Sequence, residues 1–242
     1  DRVTDQYLSR YEIQLESALS ELKTVDNLRP FVELNPYREV LSKANEFVGY
    51  LPNAETVEPD TKLGLDDMFE LVRKADEDYR TLQEKKEKLK QKIEEYRAKQ
   101  QIVAPFRPLE CDLHRVLHYR YITYRFGRIA VEFYHKMQKY LMDDLKAIFV
   151  EGERDESYVY GVYFVSQAET QKVDAVFRSL HFERIELKDE FEGTPDTAYR
   201  VLENEIARVN LEIEDLDKQA GEMLADRAPQ LVAARDRLEE LS

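Results

Sequence analysis

The sequence predicts an α+β protein in which a long antiparallel pair of helices carries a compact α/β lobe. Three observations lead there. Two stretches, 65–103 and 195–223, repeat apolar residues at alternating spacings of three and four, the stripe of helices that pair along their length. Between them, residues 106–191 are rich in aromatics and short β-prone runs. Seven glycines and eight prolines in 242 residues leave few places to turn, so the elements should be long.

Composition narrows the function classes. Charged residues reach 36 % while hydrophobic residues hold at 43 %, enough apolar material for a core. With 50 acidic against 36 basic residues the net charge is −14, which repels phosphate backbones, so neither nucleic acid nor anionic lipid is an expected partner. A single cysteine, Cys111, excludes an internal disulfide and a four-thiolate zinc site and fits a reducing compartment. No apolar run approaches the roughly 18 residues of a membrane span, so this fragment is expected to be soluble, without inserting into a membrane. The chain begins at Asp1 and its last ten residues still read as open amphipathic helix, so it is expected to be cut from a longer protein.

At the N-terminus, Leu8, Tyr11, Leu15, Ala18, Leu22 and Val25 form a helix seam that stops near Asn27. A shorter helix follows Pro36, which suits a first helical position, with Val40, Leu41, Ala44, Phe47, Val48 and Leu51 inward. Residues 1–51 therefore read as N-terminal helices, and 52–65, acidic and aperiodic, as a linker. The outgoing helix, 66–104, carries Val72, Tyr79, Leu82, Leu89 and Ile93 on a heptad seam broken at Lys86 and Gln100. At 1.5 Å per residue it spans about 57 Å. Pro105 and Pro108 end it.

The return segment, 193–242, starts with Gly193 as a stop, Thr194 as N-cap and Pro195 as first helical residue. Its seam runs through Leu202, Ile206, Val209, Ile213 and Leu216, and Pro229 should kink or break it. Neither stripe can be buried alone, and a compact segment joins the two helices end to start. They should pair antiparallel.

The lobe, 105–192, opens with a short helix through Leu109, Leu113, Val116 and Leu117. Alternation predicts a strand over 119–128, with Gly127 as its turn, and then a helix over 130–143. Strands at 147–152 and 158–166 flank a polar hairpin turn; a helix through Val173, Val176, Phe177 and Leu180 and a strand at 182–187 complete the set. The order βαββαβ is the split βαβ of the ferredoxin-like fold.

The candidates for chemistry are few. Cys111, His114 and His118 lie on one helical face and are suitable metal ligands, but no fourth ligand is evident and the ordinary reading is a histidine pair on a helix surface. His135 and His181 stand alone, without the oriented partner a general base needs. Gly127 and Gly152 are isolated, so no phosphate-cradling loop is present. The acidic turn lacks the ligand spacing of a calcium loop. No catalytic residue, no metal and no cofactor is therefore assigned. Glu153, Asp155, Glu156, Tyr158 and Tyr160 are the candidate partner interface: carboxylates for a basic surface beside tyrosines of the kind enriched at interface centres. Core filling is the ordinary reading of the aromatics.

Phe126-Gly127-Arg128-Ile129 leading into a helix, and Glu192-Gly193-Thr194-Pro195 opening a long return helix, resemble the cytoplasmic N-terminal region of the stator subunit of rotary V/A-type ATPases. That subunit is called a in vacuolar enzymes and I in archaeal and bacterial ones. The resemblance covers 66–242 well and 1–51 more loosely. It implies a non-catalytic arm on the cytoplasmic face of a membrane complex, docking by its lobe on a peripheral stalk of E and G type subunits. A membrane half beyond residue 242 would face the rotor ring and hold the ion pathway, proton or sodium. Two other classes fit the helices and the lobe: a regulatory or adaptor protein whose ferredoxin-like lobe binds a ligand, and a chromosome-organising coiled coil, against which the net charge argues.

Overall fold

The structure, a computed structural model, describes residues 36–60 and 62–241. The seam read from Leu8 to Val25 lies outside them. The fold is the α+β arrangement expected, organised around three hydrophobic cores, one at each end of a pair of helices and the third between the sheet of the lobe and its own helices.

At the base, helix α1 (Pro36–Gly49) buries Ala44, Phe47 and Val48. They meet Val72 and Ala75 of helix α2 (Leu65–Val103) and Leu231 and Ala234 of helix α7 (Ala228–Glu239). The segment between α1 and α2 is tied down, because the Asp60 amide donates to the Pro229 carbonyl at 3.0 Å and Val57 and Leu63 pack on the core.

Beyond the base, from about Asp78 onward, helix α2 pairs with helix α6 (Pro195–Asp226). Cross-helix ion pairs define the direction: Asp78 meets Arg227, Lys86 meets Asp217, and Arg107, just past α2, meets Asp196, at 2.6 to 2.8 Å. Partners descend in one helix as they ascend in the other, so the pair is antiparallel, and Leu202 shares a core with Tyr96 and Val103 while Val72 packs at the far end. Val72, Ile93, Leu202 and Val209 are buried; Tyr79, Leu82, Leu89, Ile206, Ile213 and Leu216 are half-buried. The difference has a simple cause. Mid-arm, two helices cover each other from one side only and bury Ile93 and Val209 but leave the rest of the seam half-buried, whereas a third element closes over the seam at either end.

Lys86 interrupts the stripe, and its ammonium crosses to both oxygens of Asp217 at 2.6 and 2.7 Å. A polar pair inside a seam disfavours slipped registers, in which each charge would face apolar neighbours. The return segment is not one helix: α6 ends at Asp226, and α7, with Pro229 in its first turn, folds back onto α1. Arg227 secures the break by reaching Asp78.

The lobe follows α2 through a 3-10 turn, Ala104–Phe106, and a single-turn helix α3 (Leu113–Leu117) capped by Asp112, whose Oδ1 accepts from the Arg115 amide at 2.9 Å. Strand β1 (Ile122–Ala130), helix α4 (Val131–Asp143), strands β2 (Ala147–Arg154) and β3 (Tyr158–Ser166), helix α5 (Thr170–Ser179) and strand β4 (Glu183–Arg184) complete it. The sheet is antiparallel in the order β2-β3-β1-β4, that of a split βαβ fold.

Local readings of the lobe need correction. Strand β1 starts at Ile122, not Tyr119, and Gly127 lies inside it rather than at a turn. A Cβ on Gly127 would come 2.2 Å from the Glu183 carbonyl and 2.5 Å from the Phe182 ring, so glycine is what lets β4 close on the sheet edge. The last strand is short because, after the Ile185 amide donates to the Phe126 carbonyl at 2.9 Å, the chain leaves the edge to bury Leu187 and Phe191 against the arm.

One face of the sheet packs on α4 and α5 through Ile129, Val159, Tyr163, Val165, Met137 and Phe177. Part of the other rests on the end of the arm, where Phe106 and Val103 meet Phe126 and Val162. Among the described residues no helix is long and apolar enough to cross a membrane.

Candidate partner surface and the neck of the lobe

The five residues expected at a partner interface all lie on the β2–β3 hairpin, and the structure uses several of them internally. Asp155 makes the turn: its Oδ1 accepts from the amides of Ser157 and Tyr158, both at 2.7 Å, and its own amide donates to the Tyr158 carbonyl at 2.9 Å. Tyr158 lies beneath the Arg128 guanidinium, 4.1 Å from its ring centre, and Arg128 also reaches Glu183 at 2.6 Å. Tyr160 sets its ring edge-on to Phe106, at 6.4 Å between centres. Glu153 and Glu156 remain exposed at the tip.

Beside this tip is a surface that the sequence reading passed over. On edge strand β2, Ile148 is 67 % exposed and Val150 is 40 % exposed. The register pairs them with Phe164 and Val162, so they continue the face that the arm covers only in part. Exposed Tyr119, 6.4 Å from the Phe164 ring, and exposed Ile122 extend it. The signal was there: Ala147, Ile148, Phe149 and Val150 make both faces of this strand apolar, unusual for an edge.

On the helix-covered face, Asp174 gathers the Tyr163 hydroxyl at 2.6 Å, the Arg184 guanidinium at 2.6 Å and that of Arg125 at 3.5 Å. Burial pushes the Asp174 carboxyl up, but the Tyr163 hydrogen bond and the two arginines outweigh it and hold the group below the usual carboxylate range. Burial, then Asp174, pushes the Tyr163 phenol up. A carboxylate depressed in the folded state contributes stability that is complete above about pH 4 and is lost as pH falls through the folded value. Asp174→Asn is therefore expected to cost about 2 kcal/mol at pH 7, a gap from the parent that narrows below pH 4. Urea unfolding at both pH values checks it.

Of the three residues weighed as metal ligands and set aside, Cys111 turns toward the core at the neck, and its burial pushes the thiol up. His114 and His118 stay exposed, their ring centres 4.3 Å apart, and the third residue beside them is Asp189, which spacing along the chain did not reveal. His135 is exposed next to the Tyr134 ring. His181 takes a left-handed φ of 57° at the end of α5, a position glycine usually fills, with its ring 5.2 Å from Phe133.

These features define a class: a two-helix arm with a helical base at one end and a split βαβ lobe at the other. No family model matches the chain, and no curated protein matches it. The crystal structure of the cytoplasmic N-terminal domain of subunit I, homolog of subunit a, of V-ATPase is similar to it with a TM-score of 0.45 and 14 % identity, over 88 % of this chain and 72 % of that one.

Proposed function

We propose that the chain is the cytoplasmic stator arm of a membrane-bound rotary V/A-type ATPase, a non-catalytic spacer that resists torque while ion movement is coupled to ATP. The observation that carries this reading is the α2–α6 pair. Its longer helix has 39 residues, about 58 Å at 1.5 Å per residue, and it separates two independent cores. Ion pairs at the base, the middle and the neck fix its register. Such a pair resists compression along its axis while bending slightly across it. The Phe126-Gly127-Arg128-Ile129 and Gly193-Thr194-Pro195 segments that carry the sequence resemblance also do structural work. The first ends β1 and feeds α4; in the second, Thr194 caps α6 by accepting from the Thr197 amide at 3.2 Å.

In this reading the β2–β3 hairpin, with Ile148 and Val150 on its edge and Glu153 and Glu156 at its tip, docks on a peripheral stalk of E and G type subunits. A membrane half beyond residue 242 faces the rotor ring, so the arm works at the cytoplasmic face of the membrane. Calorimetric titration of the 242-residue chain with the purified E and G heterodimer of the same organism tests this. The expected result is saturable binding, consistent with about 800 Å² per partner. It should weaken in high salt, which screens the acidic tip, and be lost in Ile148→Asp. No binding at several hundred micromolar, with tight binding of a small metabolite instead, would favour a ligand-sensing adaptor.

A further inference from the structure

We propose that His114, His118 and Asp189 form a binding site for a borderline divalent cation of the zinc class, which would staple the entrance of the lobe to its exit. The inference is independent of the stator reading.

Helix α3 buries Leu113 and Val116 and so turns His114 and His118 outward. His118 Nδ1 lies 2.8 Å from the His114 carbonyl oxygen. A carbonyl only accepts, so Nδ1 carries the proton, and the Nε2 of a neutral ring is left with an outward lone pair. That Nε2 faces Asp189 Oδ2 at 3.2 Å, and His114 Nδ1 faces Asp189 Oδ1 at 3.5 Å. A neutral His118 therefore sets a nitrogen lone pair against carboxylate oxygen. A shared cation between them would satisfy both.

The spacing fits the cation. With metal–ligand bonds of about 2.0–2.2 Å at tetrahedral angles, neighbouring ligand atoms stand roughly 3.3–3.5 Å apart. The three ligand atoms lie within 4.8 Å of one another, so modest side-chain rotation closes the set. The bond from His118 Nδ1 to a backbone carbonyl is the support by which metal-binding imidazoles are commonly oriented. Two imidazoles and one carboxylate select zinc, nickel or copper over calcium or magnesium. Solvent would fill the open position, which sets affinity in the micromolar range rather than that of a closed structural site.

The placement gives the site a consequence. His114 and His118 stand where the chain enters the lobe and Asp189 where it leaves, next to Glu190, which binds Lys99 of α2 at 2.6 Å. The Leu113 amide already joins the two sides by donating to the Gly193 carbonyl at 2.8 Å. A bound cation adds a second tie at the neck, where the lobe would pivot on the arm.

Zinc chloride titrated calorimetrically into the tag-free 242-residue chain should bind one ion per chain and raise the melting temperature by several degrees. His118→Ala and Asp189→Asn should each weaken binding about tenfold or more, with metal-free melting close to the parent's because the side chains are exposed. Cys111→Ser should bind as the parent does, and cobalt should give a tetrahedral visible spectrum without a thiolate band. No zinc binding at several hundred micromolar, unchanged binding in Asp189→Asn, or loss of binding in Cys111→Ser would each overturn the proposal.

Discussion

Replacing Phe106 with alanine is expected to cost about 3–5 kcal/mol of stability, the range for emptying a large buried aromatic site. Phe106 is fully buried and stands where the arm becomes the lobe. Its ring meets Phe126 edge-on at 5.2 Å and Tyr160 at 6.4 Å, contacts that add to the area buried. The site cannot easily collapse, because the backbone around it is already in contact: a Cβ on Gly152 would lie 2.6 Å from the Pro105 carbonyl. The cavity should therefore persist and loosen the lobe on the arm. Urea unfolding should show the loss, and limited proteolysis should cut sooner between residues 107 and 112. A loss under about 1 kcal/mol would mean that Phe106 does not hold the junction.

Val209→Asp is the second large effect, at about 3–4 kcal/mol. Val209 is the fully buried residue of the middle of α6, and the register set by Lys86 and Asp217 brings it level with Ile93. A carboxylate there loses water and gains no cation from the seam. Part of the cost is relieved if the helices splay, which a two-helix arm allows more readily than a bundle. Leu211→Asp is the internal control: two residues on, the side chain is 65 % exposed on the outer face, and its change should stay within about 0.5 kcal/mol. Equal losses at the two positions would contradict the seam.

The arm was legible in the sequence because burial on one face leaves a period, and a period survives averaging over many residues. Thr194 and Pro195 were legible as a helix start because capping is local chemistry. What could not be read depends on contacts distant in the chain. Gly127 looks like a turn until Phe182 and Glu183 arrive beside it. Tyr160 looks outward until Phe106 covers it, and β4 shrinks because Leu187 and Phe191 are drawn to the arm. Asp189 joins His114 and His118 across some seventy residues, a separation no spacing rule captures. The exposure of Ile148 and Val150 was the one feature whose local signal, apolar residues on both faces of a strand, could have been used.

The claim most open to direct test is that the arm is a stiff spacer of fixed length. Spin labels at Asp67 and Gln101, both exposed on α2, with Cys111→Ser, report its length by electron–electron distance measurement. Thirty-four residues of continuous helix predict one narrow distance near 51 Å, the same with and without the E and G heterodimer. A broad distribution, or a second and shorter distance, would show an arm that bends or frays and would contradict the account.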